Sequence, residues 1–128
     1  MYNKWGSKYN NRICYRDGIR FDSALELEVY QIIKEDVLEV HPKLYLTEAR
    51  ILYKPDFKCK SKGFGHYFVE VKGFETATWK LKKRLWRAYG KDELHLYVKE
   101  KGRIYLKEII RPKAIGGEVV HGTDDDTE

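Results

Sequence analysis

Residues 53–73, Y-K-P-D-F-K-C-K-S-K-G-F-G-H-Y-F-V-E-V-K-G, decide how this chain folds. Tyr, Phe and Val recur at alternate positions on both sides of Gly63 and Gly65, the pattern of two short strands joined by a glycine-containing turn. Alternate residues of a strand share a face, so Glu70 and Lys72 point one way and Val69 and Val71 the other. The spacing predicts one chemical face and one core face. Folded symmetrically about Gly63, the hairpin sets Asp56 opposite Glu70. Two facing carboxylates destabilise a strand pair unless something neutralises them, and a divalent cation is suited to that task. The plain alternative is a solvated hairpin in a chain with 35% charged residues. An acid-x-Lys triplet is a weak signal alone, since Asp56-Phe57-Lys58 also satisfies it. The combination says more: Pro55-Asp56 opens one strand, Glu70-Val71-Lys72 lies among aromatic and branched residues, and Gly73 then breaks into a basic helix.

Length and charge bound the partners. A chain of 128 residues is one domain with a core of its own. The apolar runs are too short to span a membrane, and the opening M-Y-N-K-W-G-S-K lacks the apolar stretch of a signal peptide. A soluble, cytoplasmic protein is therefore expected. Cys14 and Cys59 show no C-x-x-C spacing and the four histidines are scattered, so neither a zinc site nor a disulfide scaffold is predicted. The net charge is +5, but four of the 20 acids lie in the terminal D-D-D-T-E. Residues 1–123 thus carry 25 bases against 16 acids, or +9. A basic body with an acidic, disordered tail points to a polyanion, nucleic acid first, with solubility as the bland reading.

In chain order, Lys4, Lys8 and Arg12 are spaced four apart among Tyr2, Trp5 and Tyr9, an arm that orders on a partner. Asp17-Gly18 between Arg12–Tyr15 and Ile19–Phe21 predicts a small hairpin. Leu25, Val29, Ile32, Ile33, Val37 and Val40 follow helical spacing, predicting a helix from Ser23 to about Val40 that ends at His41-Pro42. Ser23-x-x-Glu26 at its start is the sequence of a capping box, so on chemistry alone Glu26 reads as a cap. Residues 43–52 read as a strand or extended connection. A second helix is predicted from Thr76 or Thr78 to about Tyr89. On its wheel Leu81, Leu85 and Ala88 cluster on one side. Lys80, Lys83, Arg84 and Arg87 fall within an arc of about 100° on the other, with Trp79 and Trp86 alongside. Four bases without an acid predict phosphate binding, against the alternative of a solvated face. Leu94–Val98 reads as a strand and Arg103–Ile110 as strand or helix.

Taken together, Phe21-Asp22-Ser23-Ala24-Leu25-Glu26, Lys54-Pro55-Asp56-Phe57 and Phe68-Val69-Glu70-Val71-Lys72-Gly73 resemble the PD-(D/E)XK nuclease superfamily. More closely the chain is similar to the small phage endonuclease I type of Holliday junction resolvase and related short phage proteins. The resemblance runs from Trp5-Gly6-Ser7-Lys8 to about Val98, and nothing beyond Gly102 matches it. It implies an α/β fold, a restriction-endonuclease-like mixed β-sheet flanked by helices. The single domain would comprise an arm and hairpin (1–20), a core (21–111) and a tail (112–128). It implies Glu26, Asp56 and Glu70 as metal ligands, with the Val71 carbonyl able to join them, and Lys72 beside the attacking water. On this comparison Glu26 moves from cap to ligand. Mg²⁺ is the expected cofactor, with Mn²⁺ able to substitute, because hard cations take oxygen ligands. A homodimer acting on branched DNA in the cytoplasm of a host cell completes the expectation.

The expected activity is metal-dependent hydrolysis of phosphodiester bonds in branched DNA, with Lys4, Lys8, Arg12, Lys80, Lys83, Arg84 and Arg87 on the DNA backbone. Two alternatives stand beside it. One is a general, single-strand or flap nuclease of the same superfamily. The other is a DNA-binding protein on the nuclease scaffold without the reaction, against which the intact Glu26, Asp56, Glu70 and Lys72 argue.

Overall fold

The structure, a computed structural model, describes residues 12–113. Strands β1 (Cys14–Arg16) and β2 (Ile19–Phe21) form the predicted hairpin. Its turn residues Asp17 and Gly18 both take positive φ, 56° and 77°, which this dipeptide tolerates and right-handed strand twist favours. Helix α1 (Ala24–Ile33) starts from Ser23, whose hydroxyl accepts the Glu26 N–H at 3.1 Å. A 3₁₀ turn (Lys34–Asp36) then leads into β3 (Val37–Val40).

The first helix therefore stops at Ile33 instead of running to Val40. Val37 and Val40 are three residues apart, which in a regular strand would put them on opposite faces. A bulge between Val37 and Glu39 resets the register, so both valines turn toward the same core as α1. That extra residue makes a strand imitate helical spacing.

Residues 43–52 supply β4 (Leu44–Tyr45), a turn in which the Arg50 N–H donates to the Thr47 carbonyl at 2.8 Å, and the first residue of β5 (Leu52–Tyr53). Among the described residues, β4 and β5 pair only with each other. Then come β6 (Phe57–Ser61), β7 (Gly65–Lys72), helix α2 (Ala77–Tyr89), β8 (Glu93–Glu100) and β9 (Arg103–Ile110). The segment left open between helix and strand, 103–110, is a strand, joined to β8 by a Lys101-Gly102 turn at positive φ.

A five-stranded sheet results, in the order β3-β6-β7-β8-β9. All pairs are antiparallel except β7–β8, which is parallel and crosses over through α2. α1 covers one face, where Phe21, Val29, Tyr30 and Ile33 meet Phe57, Cys59, Tyr67, Val69 and Val71. α2 covers the other, where Trp79 and Trp86 meet Phe68, Leu94, Leu96, Val98 and Ile110. The domain is a single-layered sheet between helices, an α/β fold with a mixed sheet.

Two expectations change here. The Glu70 face of β7 is core as well, because Phe68 on the same face lies 5.3 Å from the Trp86 ring. Trp79 and Trp86, two helical turns apart, are 2% and 1% exposed and form the buried face of α2, while Leu81 is 51% exposed. Their ring area outweighs the smaller aliphatic cluster in choosing which side of the helix turns inward. The two cysteines are free, Cys59 buried in β6 and Cys14 half-buried in β1. No helix among the described residues is long and apolar enough to cross a membrane. Lys4, Lys8 and the acidic tail lie outside the described residues.

Gly90 ends α2 with its N–H on the Trp86 carbonyl, and a Cβ there would meet Trp86 Cε2 at 2.6 Å. Gly90→Ala is expected to lower stability in urea unfolding by about 1–3 kcal/mol through overpacking. Gly63→Ala, whose nearest atom would be 3.8 Å away, should stay within about 0.5 kcal/mol of the wild type.

Candidate metal centre

The β6–β7 hairpin pairs Phe57 with Val69 and Ser61 with Gly65, a register centred on Gly63 as the sequence predicts. Its open end parts at Asp56. The Asp56 N–H still donates to the Val69 carbonyl at 2.9 Å. The next donor on β7, the Val71 N–H, is taken at 2.7 Å by the Asp56 side chain through Oδ2. Pro55, buried and lacking an N–H, does not extend the ladder. A carboxylate is thereby wedged between two strands that would otherwise continue side by side.

Glu70 follows on the adjacent strand. The Tyr53 hydroxyl donates to its Oε1, and Lys72 Nζ stands 3.3 Å from its Oε2. Lys72 is steadied over the Trp79 ring at 5.6 Å. Asp56 and Glu70 are only 9% and 6% exposed. Burial pushes the Asp56 carboxyl well above its usual range, and the charges of Glu70 and Glu26 push it further, against the pull of the Val71 N–H and Lys72. Burial also raises Glu70; Lys72 and the Tyr53 hydroxyl oppose this, and Glu26 adds to it. Tyr53 itself stays a neutral phenol, its acidity suppressed by burial and by Glu70.

Glu26 of α1 is thus felt at both buried acids. Three carboxylates from three elements share a region in which, among the described residues, Lys72 is the cation acting on the buried pair. An all-oxygen donor set with unbalanced negative charge fits a hard divalent cation such as Mg²⁺. Val71 enters through its N–H, which holds Asp56.

The cap reading of Glu26 is half right. Ser23 accepts the Glu26 N–H, but the Glu26 carboxylate does not close the box on the Ser23 N–H. Its Oε1 lies 3.0 Å from His41 Nε2 and 3.4 Å from the Asp22 N–H. Ligand atoms of Asp22, Glu26 and His41 all fall within 4.8 Å of one another; Glu26, Asp56 and Glu70 form no trio as tight among the described residues. His41, Asp22 and Tyr53 escaped the sequence reading as site residues. His41 read as a helix stop before proline, and Tyr53 as one more aromatic in an alternating strand. Only the pairing of distant elements reveals them.

The bases of α2 divide. Lys83 is paired with Glu75 at 3.5 Å and Glu108 at 2.9 Å, and Arg87 with Glu108 at 3.1 Å. Lys80 and Arg84 are exposed, with no ion pair among the described residues, and Arg12 is exposed just before β1. The helical wheel showed four bases and no acid because the balancing acids sit on β9 and on the loop before α2.

Raised carboxyl pKa values carry a sign. Between the unfolded value, about 4, and the folded one, the native state holds protons the unfolded chain has released, so stability falls as pH rises through that window. Asp56→Asn, which keeps an acceptor for the Val71 N–H, is expected to raise the melting temperature in EDTA at neutral pH. The gain should be about 4–8 °C for each kcal/mol of repulsion relieved and should vanish toward pH 4. Thermal unfolding across pH 4–8 checks both statements.

No family model matches this chain, and no curated protein or solved structure matches it either.

Proposed function

We propose that this chain is a metal-dependent endodeoxyribonuclease of the PD-(D/E)XK kind, with branched DNA as its substrate. The observation that carries the reading is the pair of buried carboxylates, Asp56 and Glu70, set side by side where β6 and β7 part, with Glu26 adding charge and Lys72 in contact. A merely structural core has no use for this excess of negative charge, since unpaired buried charge is costly. The mixed sheet between two helices is compatible with a restriction-endonuclease-like arrangement.

In this reading Glu26, Asp56, Glu70 and the Val71 carbonyl hold Mg²⁺, or Mn²⁺ in its place. A bound cation supplies a more acidic water and neutralises charge on the scissile phosphate. Lys72 places a positive group beside that phosphate, favouring the charge that develops in the transition state. Asp56 and Glu70 stay fixed because each has an oxygen held by the protein. Lys80 and Arg84 take the DNA backbone together with Arg12, Lys4 and Lys8, whereas Lys83 and Arg87 tie α2 to β9. Branch selectivity, a homodimer with two paired sites, and work in the cytoplasm of a phage host come from the sequence resemblance.

The test is cleavage of labelled four-way junction, linear duplex and single strand of matched sequence, in Mg²⁺ or EDTA, with Glu70→Gln as control. Junction cutting that needs both metal and Glu70 is expected. Cutting of all three DNAs would make the protein a general nuclease, and binding without cutting in Mg²⁺ or Mn²⁺ would refute the enzymatic reading. Lys80→Ala and Arg84→Ala should each reduce the salt slope of DNA binding by about 1. Lys83→Ala should instead show its main effect in thermal unfolding.

A further inference from the structure

The candidate ligands have a shared feature beyond their identity. Each carboxylate has one oxygen held by a protein donor: Glu26 Oε1 by His41 Nε2 at 3.0 Å, Asp56 Oδ2 by the Val71 N–H at 2.7 Å, and Glu70 Oε1 by the Tyr53 hydroxyl. Among the described residues, Glu26 Oε2 and Asp56 Oδ1 accept no hydrogen bond, and Glu70 Oε2 faces Lys72 alone. A carboxylate pinned at one oxygen turns less and offers the other in a defined direction.

The two side chains that do this are themselves well anchored. His41 lies between β3 and β4 at φ 56°, and its own N–H donates to the Asp56 carbonyl at 2.9 Å. It therefore grips Glu26 with its ring and Asp56 with its backbone, linking an acid of α1 to one at the head of β6. The contact uses the imidazole as donor through the nitrogen that faces Glu26. Tyr53 is buried, its ring edge-on to Trp86 at 5.9 Å. Its hydroxyl is carried on the frame of the α2 core.

We infer that Tyr53 and His41 are positioning residues of this centre, each holding one oxygen of an acid so that the remaining oxygen is presented to a divalent cation. The inference rests on the metal-centre reading above, and deepens it by naming what orients the ligands.

The test is calorimetric titration of the full chain with Mn²⁺, alongside Asp56→Asn, Tyr53→Phe and His41→Asn. Asn and Gly both tolerate the left-handed backbone at position 41, so His41→Asn and His41→Gly keep the link to the Asp56 carbonyl while losing the reach to Glu26. Tyr53→Phe removes only the hydroxyl. Tyr53→Phe and the His41 variants are each expected to bind Mn²⁺ about 10–100-fold more weakly, as loss of a ligand-orienting partner does, while still folding cooperatively in EDTA; Asp56→Asn, which loses a ligand itself, should bind more weakly still. His41→Gln, whose amide extends to the place of Nε2, should recover most of the affinity. Wild-type affinity in Tyr53→Phe, or in the His41 variants, would overturn the assignment for that residue. If His41→Asn does not fold, His41→Gly carries the same expectation. Absence of Mn²⁺ binding to the wild type, with no difference in Asp56→Asn, would bring down the metal-centre reading itself, a result distinguishable from failure of the positioning role.

Discussion

The hydrogen bond from the Val71 N–H to Asp56 Oδ2 is the constraint on which the rest turns. A strand pair normally continues by backbone donors and acceptors, and every buried donor needs a partner. At the head of β6 the side chain of Asp56 takes over a donor of β7, so the Val71 N–H is satisfied and a carboxylate comes to rest beside Glu70. Burial of that carboxylate raises its proton affinity and makes the region electrostatically incomplete. The stability of the hairpin and the chemistry of its open end are thus two aspects of one contact.

Much of this was legible in the sequence, and for identifiable reasons. The two strands of the hairpin followed from alternation on both sides of Gly63 and Gly65, the β1–β2 turn from Asp-Gly, and the start of α2 from Thr76 or Thr78, of which Thr76 is the cap. These are local signals, in which a residue's own backbone preference sets the outcome. What failed was non-local. Val37 and Val40 look helical until a bulge against β6 is known. Lys83 and Arg87 look like free bases until Glu108 arrives from β9. Trp79 and Trp86 look like flanks of a cationic stripe until the sheet lies beneath them.

The candidate site divides along the same line. Asp56, Glu70 and Lys72 are close in the hairpin, and a period of two suffices to bring them together. Glu26 stood between a cap and a ligand because both roles begin with the same Ser23 contact. Its carboxylate is directed elsewhere by His41, which no pattern along α1 could indicate. His41 and Tyr53 come from connections outside the main sheet, the segments whose conformation depends most on what they pack against.

The order of the elements has a consequence for how the centre comes into being. Strands β6 to β9 with α2 are contiguous in sequence, and their pairings are between neighbours or across a single helix. α1 and β3 precede them: β3 pairs with β6 across the β4–β5 ribbon, and α1 packs on the β6–β7 hairpin from still farther back in the chain. Asp56, Glu70 and Lys72 travel with the contiguous unit, whereas Glu26 and His41 travel with the part that docks on it. A transient opening of α1 and β3, of the sub-global kind seen in amide exchange, removes one acid and its holder while leaving the hairpin intact. The third carboxylate is therefore delivered by tertiary assembly, so a partly folded chain carries an incomplete set of acids.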